Sequence, residues 1–128
     1  MQKITSLLAI TTLLAQFSFS AVVQASERPD HFKGQEISNA TQARHYYQEY
    51  NNKLKVLLAQ TELSPAQLLE IHEITYTLEN ALTKLPAESA KLAEVLESLH
   101  LASEQANATE AKKFGAAYLQ AVAEVSAK

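Results

Sequence analysis

The sequence predicts an all-α protein: an antiparallel up-down-up-down four-helix bundle, preceded by a cleaved signal peptide and a short irregular arm. Three observations predict it. Apolar residues recur at three- and four-residue spacing in four segments, which places them on one face of each helix. Capping residues stand before three of those segments, at Asn39, Ser64 and Asn107. The connections are short, and short loops between helices of similar length make antiparallel neighbours. No stretch alternates with the two-residue period of a strand. The other assembly open to the same pattern is a three-helix core with the fourth helix loosely docked.

The first 25 residues read as a targeting segment. Lys3 supplies a positive start, Leu7 to Ala21 an apolar run, and Val23-Gln24-Ala25 a pair of small residues before a cut between Ala25 and Ser26. An uncleaved anchor is the alternative. The run is short and rich in Thr and Ser, whereas a spanning helix needs roughly 20 strongly apolar residues. The expected divisions are a signal peptide over 1–25, an arm over 26–38 and a helical domain over 39–128. The segment after the cut has 103 residues, enough for one core. The chain has no cysteine, which excludes disulfides, thiolate metal sites, covalent c-type haem and a lipoprotein signal. Removing Lys3 takes the 11 Lys and Arg to 10 against 14 Asp and Glu, a net charge of −4. The charges are interspersed. No basic face invites nucleic acid, and no second apolar segment invites a membrane once the leader is gone. The expected location is the periplasm.

The arm, SERPDHFKGQEIS, lacks helical period and holds Pro29 and Gly34. Phe32 and Ile37 are its expected attachments to the body; the plainer reading is a frayed terminus. The first helix runs from Ala40 to Gln60, with Asn39 as cap and Gln42 reaching back as in a capping box. Its face is Ala43, Tyr47, Tyr50, Leu54, Leu57 and Leu58. The second begins with the clearest signal in the chain: Ser64 as cap, Pro65 at the first helical position, Gln67 closing a capping box, and Leu63 with Leu68 as a hydrophobic staple. Its face is Leu68, Ile71, Ile74, Leu78, Ala81, Leu82 and Leu85. Pro86 marks the turn. The third helix, Ala87 to Gln105, presents Leu92, Val95, Leu96, Leu99, Ala102 and Ala106 as its face. The fourth, capped by Asn107, buries Ala111, Phe114, Tyr118, Ala121, Val122 and Val125. Gly115 within it costs about 1 kcal/mol relative to Ala, which a close helix crossing or simple tolerance would explain. Asn39 and Asn107 also open glycosylation sequons, but capping is the simpler reading.

One edge carries a candidate site. His72 and His100 each lie 14 residues from Pro86. Advancing about 100° per residue puts both on the same rotational flank of their helices. In an antiparallel pair those flanks meet. The two imidazoles are therefore expected to face one another, surrounded by Glu79, Glu97, Glu104 and Tyr76. Two imidazoles and a carboxylate suit a divalent transition metal such as zinc, copper or nickel. The plainer reading is a pair of flank histidines exchanging hydrogen bonds with nearby glutamates. A neutral-to-charged switch is a third. His31 and His45 are assigned to solvent. Catalysis finds no support: there is no cysteine nucleophile, no glycine-rich phosphate loop, and no serine with His and Asp at a motif spacing.

The segments ERPDHFKG, YNNKL, ELSPAQLLEIHEITYTLENAL and LESLHLASE resemble a family of small exported proteobacterial proteins of unknown function. The resemblance covers nearly all of the chain after the leader and implies a periplasmic location, a helical fold and no assigned activity. Size, compartment and helix number also resemble the periplasmic cytochrome b562 architecture. That family takes haem through a methionine early in its first helix and a histidine in its fourth. Here the only methionine is Met1 and the fourth helix has no histidine. Haem would need another pair, such as His72 and His100. The expected function is a non-enzymatic protein-interaction or stress-accessory module with an unidentified protein partner. The alternative is a metal-binding bundle using His72 and His100. Exposed Leu69 and Leu101, opposite their helices' main faces, would favour the interaction reading.

Overall fold

The computed structural model describes residues 32–85 and 89–127. The expected leader, the first part of the arm and Pro86 lie outside the described residues. Among those described there are four helices and no strand: α1 Ala40–Leu58, α2 Pro65–Leu82, α3 Ser89–Glu104 and α4 Ala108–Ser126. Each helix packs on the next in sequence, and α4 returns to a slighter seam against α1. The fourth helix is not loosely docked, because Ala111 and Tyr118 are fully buried in the main core.

The helix ends follow local chemistry. Ser64 accepts from Gln67 N while Gln67 Oε1 accepts from Ser64 N at 2.9 Å, a complete capping box, and Leu63 and Leu68 are both buried beneath it. At α1 the box is displaced. Asn39 Oδ1 accepts from Gln42 N, but the Gln42 side chain reaches Ser38 N rather than Asn39 N. Asn107 Oδ1 likewise accepts from Glu110 N, so both sequon asparagines serve as caps. α1 stops at Leu58, short of Gln60, and the exposed carbonyls beyond it are held by Lys112 Nζ from α4, 2.8 Å from Thr61 O. α3 ends in a Schellman turn: Ala106 stands in the left-handed region at φ 52°, Asn107 N bonds Ala102 O at 2.9 Å and Ala106 N bonds Ser103 O at 3.0 Å.

Leucine and isoleucine from α1, α2 and α3 form most of the main core, to which α4 adds Ala111 and the fully buried Tyr118. Gly115 marks a close crossing. A Cβ there would lie 2.5 Å from Leu58 Cδ1, so the glycine lets α1 and α4 approach. The polar atoms of Asn51 and Tyr118 are buried without a well-formed hydrogen bond, and burial pushes the phenols of Tyr118 and Tyr47 above their ordinary range.

Residues 33–38 are not frayed. Gly34 adopts φ 68° and lies so close to α2 that a Cβ would meet Tyr76 C and Thr77 N at 2.8 Å. Gln35 N donates to Thr77 Oγ1 at 3.0 Å, and Asn80 Nδ2 donates to the carbonyls of Lys33 and Gln35. Ile37 is buried in a second small core with Ala43 and Ala81. Phe32, expected as an attachment, is instead 42% exposed and only leans on Tyr76, with ring centroids 6.1 Å apart.

Candidate functional site

The edge between α2 and α3 brings the two histidines together. Their ring centroids lie 4.6 Å apart with planes tilted by 45°. Tyr76, expected among the residues around the pair, stands edge-on to both rings, 5.1 Å from His72 and 4.8 Å from His100. Phe32 leans on Tyr76, so the arm abuts the site.

Thr75 sets the protonation of this edge. It is fully buried, and its hydroxyl lies 2.6 Å from His72 O and 2.7 Å from His100 Nδ1. A threonine has one hydroxyl proton. Donated to the His72 carbonyl, it leaves the oxygen free to accept, so His100 carries a proton on Nδ1 and donates it to Thr75. In neutral His100 the lone pair is then on Nε2. In the sequence Thr75 merely stands between Ile74 and Leu78 of the apolar face. The signal that could have found it is its position three residues beyond His72, within reach of that carbonyl.

Glu79 approaches from α2, with Oε1 3.4 Å from His100 Nδ1. That approach favours an ion pair, but burial outweighs it. Burial, and then the charge of Glu97, push Glu79 up to about 7. Burial, and then the neighbouring His72, hold His100 below its ordinary value, with Glu97 and Glu104 opposing. Both groups are thus biased toward their neutral forms. His72 Nδ1 is buried with no hydrogen-bond partner.

The structure therefore joins His72, His100 and Glu79. Glu97 and Glu104 act on this edge through charge and form no ion pair with either histidine among the described residues. Among the described residues no group of three or more His, Asp or Glu is placed to hold a metal ion. His45 lies on the exposed side of α1, with Nε2 3.5 Å from Glu49; His31 is outside the described residues. No described helix is long and apolar enough to cross a membrane.

Fold and edge together define a small all-α protein with an imidazole–hydroxyl–carboxyl cluster across one helix pair. The chain belongs to a family of unknown function, DUF6746, which it matches over residues 1–127. No curated protein and no solved structure matches it.

Proposed function

We propose that this chain is a small exported, periplasmic protein without catalytic activity, an interaction or stress-accessory module that docks a protein partner on the outer surface of α2 and α3. The observation that supports this is the exposure of Leu69 (58%) and Leu101 (43%). Each stands at a groove rather than alone. Leu69 joins Pro65, His72 and Ala106 at a groove of about 200 Å³ between the start of α2 and the end of α3. Leu101 joins Ala102 and Phe114 at one of about 270 Å³ between α3 and α4. Grooves of that size seat a side chain or two rather than a haem-sized ligand. A photo-crosslinking residue placed at 69 or 101, in cells exporting the chain, is expected to give a discrete protein adduct. The same residue at exposed Gln48 is expected to give none. Equal or absent crosslinking at all three positions would reject the reading.

A second reading, a divalent transition metal held by His72 and His100, is favoured by the buried unpartnered Nδ1 of His72 and the free Nε2 lone pair of His100. Two imidazoles would leave the remaining coordination to water or to Glu79. Zinc or copper is then expected to raise the melting temperature of the parent but not of His72→Ala or His100→Ala. An unchanged melting curve in excess metal ends this reading.

A further inference from the structure

We infer that the partner seated on the α2/α3 surface is a basic amphipathic helix, its apolar side chains on Leu69 and Leu101 and its lysines or arginines on Glu73, Glu94, Glu97 and Glu104. This rests on the docking reading above and adds the chemistry of the occupant.

Among the described helices, α2 and α3 carry the acidic excess. α2 carries Glu70, Glu73 and Glu79 and no Lys or Arg, and α3 carries Glu94, Glu97 and Glu104 against Lys91 alone. The carboxylates share faces with the exposed leucines. On α3, Glu94, Glu97 and Glu104 stand seven and four residues before Leu101 and three after it, which puts all four on one stripe. On α2, Glu73 stands four residues after Leu69. Among the described residues none of these four glutamates forms an ion pair with a Lys or Arg. Unpaired like charges on one face raise the local negative potential, which attracts a cationic partner and repels an acidic one or an anionic lipid surface. Exposed leucines beside grooves, with carboxylates on the same helix faces, match the anchors and rim of a helix-in-groove contact with a basic helix.

A second copy of the chain fits less well. Among the described residues the one basic helix is α1, whose large exposed apolar residue is Val56 (64%). The stripe through Val56 holds Asn52, Lys53 and Gln60. Its one lysine is already engaged, 2.7 Å from Glu49 and over the Tyr50 ring.

The test titrates the full chain after the leader into two fluorescent peptides of about 18 residues, one alternating Leu with Lys at amphipathic helical spacing, the other Leu with Glu. The Leu/Lys peptide is expected to bind saturably and to weaken about tenfold as salt rises from about 50 to about 300 mM. It is also expected to weaken about tenfold both in Leu69→Ser/Leu101→Ser and in Glu94→Gln/Glu97→Gln/Glu104→Gln, with circular dichroism confirming that each variant is folded. Equal binding of the Leu/Glu peptide would overturn the charge inference while leaving the docking reading in place. Binding undiminished by either set of substitutions, or no binding at all, would overturn the inference, and crosslinking from positions 69 and 101 would then decide the docking reading by itself. Self-association on sedimentation, abolished by the leucine substitutions, would overturn it in favour of a second copy.

Discussion

At the scale of single residues the decisive group is Glu79, a carboxyl held beside an imidazole that does not ionise it. Its pKa in the fold, about 7, lies above its ordinary 4.5. Between those values the unfolded chain releases the proton while the folded one keeps it, so stability falls as pH rises through that window. His100 has the opposite sign: its contribution is whole above its ordinary 6.5 and is lost as pH falls. Glu79→Gln keeps the shape and removes the carboxyl that must ionise. The variant is expected to match the parent at pH 4 and exceed it at pH 8 by about 1 kcal/mol, less than the full linkage value because part of the side chain stays in water. Thermal melts at the two pH values check this, and an equal gain at both would show that burial of the charge is not the cause. The helical wheel could bring His72, His100 and Glu79 to one edge, because rotation about a helix is set by residue number. It could not find the Thr75 hydroxyl as the group that assigns the His100 proton. That assignment depends on two distances, one to the preceding turn and one across 25 residues to α3.

At the scale of elements, the caps show which signals are local. Ser64-Pro65-Gln67 makes its box as read, since every partner lies within three residues. Gln42 binds one residue earlier than expected because the arm's own path presents Ser38 N to it. The arm is the element whose order was hidden. Its irregular sequence is compatible with fraying, yet Gly34 and the carbonyls of Lys33 and Gln35 dock on Thr77 and Asn80, whose acceptor and donor project from α2. Gly34→Ala meets both a left-handed φ and a backbone wall, so it is expected to cost about 1–3 kcal/mol and to open the Lys33 bond to trypsin. A variant that melts and resists trypsin like the parent would show that the arm is held by other contacts.

At the scale of the whole molecule, the seam between α1 and α4 closes the fold through one glycine. Gly115→Ala removes the helix-propensity cost of glycine but drives a methyl group into Leu58. In the parent the clash is expected to win, with a net loss of about 1 kcal/mol. In a Leu58→Ala background the same substitution is expected to stabilise by about 1 kcal/mol, and a double-mutant cycle by denaturant unfolding measures the difference. Additive effects would mean that Gly115 is only tolerated. The same scale holds the uneven spread of charge, with an excess of carboxylates on α2 and α3, an excess of basic residues on α1 and a balance on α4. By itself, the sequence determined the number of helices, the starts of α1, α2 and α4 and the face on which most side chains lie, because periodicity and capping act within a few residues. Only the tertiary structure decided the arm's clasp on α2, the Gly115–Leu58 crossing, the Thr75 bridge and the exposure of Leu69 and Leu101. Those features depend on which surfaces meet across long stretches of chain, and side-chain volume and backbone approach set that only once the helices have packed.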